Sequence, residues 1–266
     1  MKYKYDYCYT FSNPAFQRAY LRTPLRNHTS AMIAEGLSID FDECAHMMIA
    51  GMTGSGKTCF LHSLILSLMY HNNPAQVHFM FIDMKRVEFS RYKDSYFNQM
   101  VPVARDANEA IKTLAKAEAI MRMRYEEMET LGVERYEGMH IFVVIDELAD
   151  LVFQDKPRTI KLLSSIARLG RAAGIHLICA TQTPRREVLS SQVMSNFPVK
   201  IALRCDLPVD YRTILGFMPK NPPELAGEGV MSYAGRRYLF RCPYVSRSDY
   251  EYFHKHTKLV EYKRSR

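Results

Sequence analysis

The chain has 266 residues, 47% hydrophobic and 24% charged, with 36 Lys+Arg against 28 Asp+Glu and a formal charge of +8. This composition suits one globular domain with small additions and excludes a disordered, collagen-like or disulfide-dense chain. No apolar run approaches the roughly 18–20 residues that cross a bilayer, and the start MKYKYDYCYTF lacks the apolar stretch of a signal peptide. The six cysteines (Cys8, Cys44, Cys59, Cys179, Cys205, Cys242) contain no CxxC pair, which fits a reducing, cytoplasmic setting without a disulfide or metal framework.

The charge is unevenly placed: +4 over residues 1–30, −8 over 31–155, +9 over 156–246 and +3 over 247–266. A basic second half beside an acidic first half points to a polyanion-facing side, or to a solvated surface of uneven composition. At the start, Tyr3, Tyr5, Tyr7 and Tyr9 alternate with Lys2, Lys4 and Asp6, the period of an edge strand, with a docking arm as the alternative. Residues 45–50 (AHMMIA) form a short apolar run ending at glycine and read as a buried strand.

Residues 51–58, GMTGSGKT, match G-x-x-x-x-G-K-[ST] in full. Gly51, Gly54 and Gly56 let the backbone curl so that N–H groups of Met52, Thr53, Ser55 and their neighbours face phosphate oxygens. The following helix adds the positive end of its dipole. Lys57 reaches the β- and γ-phosphates, and Thr58 offers a hydroxyl to Mg²⁺. A strand before and a helix after are the context this motif requires, so the chain is expected to bind a nucleoside triphosphate. Phe60, Leu61, Leu64, Ile65, Leu68 and Met69 recur at helical spacing, and Asn72-Asn73-Pro74 stops that helix.

Residues 77–82 (VHFMFI) predict the next strand, and residues 107–131, lacking Gly and Pro, a long exposed helix closed by Gly132. Residues 141–145 (IFVVI) are continuously apolar, as in a parallel strand covered on both faces. That strand runs into Asp146-Glu147, at the sheet edge where α/β proteins bind ligands. Asp146 is expected to hold Mg²⁺ through water, and Glu147 to act as general base on the attacking water. Residues 157–173 predict a helix, 176–180 a strand ending at Thr181-Gln182, 187–196 a helix and 201–203 a strand. Gln182 is placed to sense the γ-phosphate and orient water. Arg168 and Arg171, three apart, are candidates for an arginine that reaches a neighbouring subunit's site. Residues 230–233 and 237–240 flank Ala-Gly-Arg and predict a hairpin. Strands alternating with helices define an α/β fold with a mainly parallel sheet.

The segments GMTGSGKT (51–58), FIDMKRVEFSRY (81–92), VVIDELADL (143–151), ARLGRAAGIHLICATQTP (167–184), SNFPVKIALR (195–204), DYRTILG (210–216) and GEGVMSY (227–233) together resemble the motor domain of the FtsK/SpoIIIE family of DNA translocases. The likeness runs in order over roughly residues 40–250. It implies a RecA-like P-loop NTPase core, a mainly parallel sheet flanked by helices with a terminal β-hairpin. It further implies ATP and Mg²⁺ at the subunit interfaces of a hexameric ring, duplex DNA in the pore, and an arginine finger within the RLGR segment. No membrane helices precede the core and about 20 residues follow it, so the chain resembles the short motors of plasmids, integrative elements or phages. The expected division is an N-terminal extension (1–39), the ATPase domain (40–246) and a basic tail (247–266). The family's ATQRP is ATQTP here, with Thr183 in place of an arginine. Arg185 and Arg186 follow it, Met194 stands where relatives often carry lysine, and Lys200 keeps a basic position. Arg185, Arg186 and Lys200 are therefore the DNA-contact candidates.

Translocation of double-stranded DNA, in transfer or segregation of a mobile element, is the leading expectation. The alternative is a secretion or conjugative coupling ATPase acting on a protein or a relaxase–DNA complex. A relaxase, a replication protein or a membrane protein would be the recruiting partner. The absence of an NKxD motif argues against a GTPase, and Glu147 with Gln182 argues against a non-catalytic adaptor.

Overall fold

Every short apolar run read from the sequence becomes a strand, and the strands of one half interleave with those of the other. The computed structural model describes residues 14–251 apart from 94, 99, 186, 190, 247 and 250; the tyrosine-rich start, Arg186 and most of the basic tail lie outside the described residues. The chain opens with α1 (Pro14–Arg22), the hairpin β1 (Ser30–Ala34) and β2 (Leu37–Asp40), and the short α2 (Phe41–Cys44). Then come β3 (Met47–Ala50), α3 (Lys57–Tyr70), β4 (Val77–Ile82), α4 (Ala107–Leu131) and β5 (His140–Ile145). The second half comprises α5 (Leu148–Gln154), α6 (Lys156–Leu169), β6 (Ile175–Thr181), α7 (Ser191–Met194), β7 (Val199–Leu203), α8 (Pro208–Leu215), β8 (Glu228–Tyr233) and β9 (Arg236–Arg241).

The main sheet has the order β4-β5-β6-β3-β7-β8-β9. The first five strands are mutually parallel, and β8 and β9 add antiparallel to β7. The strand that carries the glycine loop, β3, therefore lies centrally, and β6 separates it from the acid-bearing β5. Side chains alternate between two apolar layers, the pattern of a sheet covered on both faces. Phe79, Phe81, Phe142 and Val144 meet α3 and the β1–β2 hairpin, whereas Met80, Ile82, Val143 and Ile145 meet α4, α5 and α6. The hairpin is fastened to α3 by the Met32 N–H donating to Ser67 Oγ at 3.0 Å, and Phe16 of α1 packs against Tyr70.

Two helix expectations need correction. The predicted 157–173 helix ends at Leu169: Gly170 caps it with its N–H on the Ile166 carbonyl, and its own carbonyl accepts from the Ile175 N–H as the chain turns into β6. The predicted 187–196 helix is confined to Ser191–Met194. A turn in which Val188 and Leu189 N–H groups both donate to the Arg185 carbonyl already buries those two apolar side chains. The long helix matches its expected span, with Asp106 as N-cap and Gly132 left-handed at φ 68°. In the terminal hairpin the turn narrows to Ala234-Gly235, both at positive φ, which matches the twist of the flanking strands.

Phe142 is fully buried and its ring meets those of Phe41, Phe79 and His176. Phe142→Ala is expected to lower stability by about 3–5 kcal/mol, read as a reduced urea midpoint at unchanged slope.

Candidate nucleotide site

The glycine loop leaves β3 at the centre of the sheet and is pinned on both sides. Gly51 N–H donates to the Thr181 carbonyl and Met52 N–H to the Arg204 carbonyl, which tie it to β6 and to the end of β7. Ser55 O accepts from Gly227 N–H at 2.8 Å, which ties it to the start of β8. Gly56 is left-handed at φ 89°, and a Cβ there would lie 2.6 Å from the Gly227 nitrogen. Only glycine serves at that position, both for the backbone angle and for the close approach. Arg204 braces the loop from outside, with guanidinium hydrogen bonds to the Gly54 and Glu224 carbonyls.

Whether the pocket fits a phosphate chain and a divalent cation can be judged from its donors. The N-terminus of α3 has no side-chain cap and no acid in its first turn, so the positive end of the helix dipole meets the pocket directly. Ser55 Oγ is buried without a hydrogen-bond partner. A cavity of about 400 Å³ opens here, lined by Thr53, Gly54, Lys57, Thr58, Glu88 and Gln182 among others. Donors and cation converge on an anion-sized space, so the residues present fit a nucleotide's phosphates with their metal.

Four groups meet at the carboxyl ends of β3, β5 and β6. Lys57 Nζ donates at 2.8 Å to both the Asp146 carbonyl and Asp146 Oδ1, and both side chains are at most 5% exposed. Glu147 begins α5, but its carboxylate turns toward β6. There it accepts from Thr181 Oγ1 at 2.7 Å and from the Gln182 N–H at 3.0 and 3.1 Å. Lys85 Nζ lies 3.4 Å from its other face. The Gln182 amide oxygen accepts from Thr53 Oγ1 at 3.1 Å, so one residue touches both the glycine loop and the Glu147 carboxylate. Thr58 Oγ1 donates to Glu88 Oε1 at 3.3 Å. The neighbouring His62 imidazole, its Nε2 3.7 Å from Glu88 Oε2, holds the Glu88 carboxyl below its ordinary range, while burial holds His62 below its own.

Lys57, Thr58, Asp146, Glu147 and Gln182 are thus brought together. Sequence reasoning assigned no role to Lys85, Glu88, Thr181 or Arg204. Lys85 and Glu88 stand in the FIDMKRVEFSRY segment, whose likeness to the family was the available signal. Arg168 and Arg171 do not join the site of their own chain. Arg168 is exposed in the last turn of α6, and Arg171 Nε donates to the Asp42 carbonyl beside the amino end of β6, at the opposite edge of the sheet. Arg185 is exposed on the loop after β6 and lines a second cavity of about 830 Å³ beside Thr53 and Gln182. Lys200 is half-buried near the amino end of β7, level with Met48 of β3. Met194 is buried against the helical layer and faces no solvent.

The central glycine loop, with a strand inserted between it and the acid-bearing strand, defines a RecA-like P-loop ATPase fold. The family model described as "FtsK/SpoIIIE family" matches residues 11–140 and 135–186. The chain belongs to that family. It is 34% identical over 232 residues to the DNA translocase FtsK of Chlorobaculum tepidum, covering 79% of this chain and 29% of that protein. Over 245 residues it is 34% identical to the DNA translocase FtsK of Helicobacter pylori strain J99, covering 84% and 28%. The chain therefore spans less than a third of the length of these relatives. Among solved structures, the pCW3 conjugation coupling protein TcpA in its monomer form with ATPgS superposes with a TM-score of 0.73 at 25% identity, over 84% of this chain and 68% of that one.

Removing one partner of a buried ion pair strands the other charge. Lys57→Met is therefore expected to cost about 3–5 kcal/mol, and the double variant Lys57→Met/Asp146→Asn to recover most of that loss. Chemical denaturation of the three proteins measures both numbers. Gly56→Ala should abolish nucleotide binding in a fluorescent-nucleotide titration and lower the unfolding midpoint, because neither its φ nor the Gly227 backbone can yield.

Proposed function

We propose that the chain is the ATP-hydrolysing subunit of a ring motor that moves double-stranded DNA in the transfer or segregation of a mobile element. The observation that carries this is the closed circuit at the mouth of the glycine loop: Lys57 on Asp146, and Glu147 held by the backbone of Gln182, whose amide touches Thr53. Membership of the FtsK/SpoIIIE family supplies the substrate class. We take residues 40–246 as the ATPase domain. Residues 14–39 pack against α3, which carries the loop.

In this reading Lys57 exchanges its two Asp146 partners for phosphate oxygens when ATP binds, which frees the Asp146 carboxylate. Thr58 and Asp146 would hold Mg²⁺, which when bound supplies charge neutralisation at the phosphates. The backbone donors of residues 51–58 orient the phosphate chain. Glu147 keeps its carboxylate fixed by three donors and takes the proton of the attacking water. Gln182 links the state of the loop to that base. Arg168 and Arg171, remote from their own loop, would serve a neighbouring copy, which makes a ring of subunits, a hexamer in the family's pattern, part of the proposal. Arg185, Arg186 and Lys200 remain the proposed DNA contacts within the +9 segment. No helix among the described residues is long and apolar enough to cross a membrane. We place the protein in the cytoplasm, recruited by a relaxase, a replication protein or a membrane protein.

A coupling ATPase that grips a protein or a relaxase–DNA complex is the second reading, supported by the likeness to the conjugation coupling protein TcpA. The Met194 departure lends it no weight, because that side chain belongs to the core.

ATP turnover measured with and without duplex DNA across a salt series, with Lys57→Ala as control, separates the readings. A DNA motor shows stimulation that falls steeply with salt, since phosphate neutralisation releases counterions. Stimulation by a partner protein alone selects the coupling reading, and no DNA stimulation at low salt overturns the first. Glu147→Gln should lower turnover by about 10²–10⁴-fold while nucleotide binding persists. If an arginine acts on the neighbouring site, mixing Arg171→Ala or Arg168→Ala protein with Lys57→Ala protein restores activity that neither has alone.

A further inference from the structure

Glu88 lies in the turn that follows β4, beside the first turns of α3, and each of its carboxylate oxygens faces a side chain of that helix. Oε1 accepts from Thr58 Oγ1 at 3.3 Å, and Oε2 lies 3.7 Å from His62 Nε2. Thr58 and His62 are four residues apart and so share one face of α3. With Lys57 and the glycine loop, all three line the cavity of about 400 Å³. We propose that Glu88 is a positioning residue: it takes the hydroxyl proton of Thr58 in a hydrogen bond, which leaves the oxygen lone pairs to the divalent cation of a bound nucleotide. The proposal rests on the reading of this pocket as a site for ATP and Mg²⁺.

A hydroxyl has one proton to give and two lone pairs to offer. As a cation ligand Thr58 uses a lone pair, so its proton needs an acceptor elsewhere. Within a helix that acceptor is commonly a carbonyl of the preceding turn. Here the hydroxyl donates to Glu88 across the cavity instead, which turns it away from its own helix. Asp146, the acid on β5, is paired with Lys57 and is not the acceptor of this hydroxyl. A charged acceptor also makes the donating oxygen a better electron donor, the effect that outer-shell carboxylates have on metal ligands generally.

The turn that presents Glu88 is fixed on both sides. Arg86 N–H donates to the Asp83 carbonyl and Phe89 N–H to the Asp83 carboxylate at 2.8 Å, which closes residues 83–89 around the end of β4. Phe89 is fully buried, its ring centroid 4.9 Å from that of Phe81. Tyr92 N–H donates to the Phe89 carbonyl, and the Tyr92 hydroxyl lies 2.8 Å from His62 Nδ1. Tyr92 and His62 are both buried, so the imidazole is held from behind while its other nitrogen faces Glu88. One short segment thus carries both the carboxylate and the phenol that bracket His62. Close to phosphates a carboxylate opposes nucleotide binding unless a cation stands between them. Glu88 therefore makes nucleotide affinity depend on the metal.

The test is the affinity of the nucleotide-free full chain for a fluorescent, non-hydrolysable ATP analogue, in Mg²⁺ and in chelator, read as the ratio of the two dissociation constants. Glu88→Ala is expected to shrink that Mg²⁺-dependent gain by about tenfold or more, with metal-free affinity no weaker than the parent's. Glu88→Gln keeps an oxygen acceptor and should lose less. Thr58→Ala should shrink the gain too, and adding Glu88→Ala to it should have little further effect, because the two act through one contact. Equal thermal midpoints without nucleotide confirm that the variants fold, and Glu88→Leu repeats the comparison where the alanine variant melts early. A parent without Mg²⁺-dependent gain, an unchanged gain in the Glu88 variants, an equal loss with and without Mg²⁺, or additive losses in the double variant overturns the proposal. These failures leave the ATPase reading standing, whereas a parent that binds no nucleotide at all overturns both.

Discussion

The contact on which the site depends is the buried pair between Lys57 and Asp146. Two full charges, each almost wholly removed from water, are tolerable only because they neutralise one another at hydrogen-bond distance. The pair also joins the glycine loop to the far side of β6, since Lys57 lies on the strand-β3 side and Asp146 at the end of β5. The loop is thus joined to the acid-bearing strand by a charge pair in addition to its backbone hydrogen bonds. Under the proposed exchange of Lys57 onto phosphate, nucleotide occupancy would act on that strand through electrostatics.

The same logic spreads outward from Glu147. Its carboxylate is fixed by donors from the end of β6, and the residue supplying the backbone donor also touches the loop through its side chain. A change at Thr53 can therefore move the Glu147 carboxylate without any relay through the core. Of the two arginines of the 165–176 segment, Arg168 is exposed in the last turn of α6 and Arg171 is fixed at the other edge of the sheet by the Asp42 carbonyl, away from the nucleotide pocket. Under the proposed mechanism such a subunit carries its own acids and phosphate donors, and neither of these two arginines joins them within the chain.

The nucleotide loop, the acid pair and the strand runs were legible because each is a contiguous pattern with a fixed physical reason: glycines where φ turns positive, apolar residues where both sheet faces are covered. The β1–β2 hairpin was not recognised, although Glu35-Gly36 between two short apolar runs has the form of a tight turn; its strands are only five and four residues long. Glu88 and Thr181 could not be found by spacing, because their value comes from long-range meetings with Thr58 and Glu147. The extent of the 187–196 helix was misread since Val188, Leu189, Val193 and Met194 are buried through a turn followed by a single helical turn. A helical apolar pattern does not distinguish that from a continuous helix.

The placement of β3 has a consequence for assembly of the fold during synthesis. This strand is made early, at residues 47–50, yet its two sheet neighbours are β6 and β7, more than 120 residues later, and the loop's last clamp is Gly227. Contacts of such sequence separation form slowly, because a long chain must be closed before any of them is made. A nascent chain that has released its glycine loop therefore carries it unshaped until almost the whole domain has emerged. Half-made subunits would then neither capture nucleotide nor compete with finished ones for it.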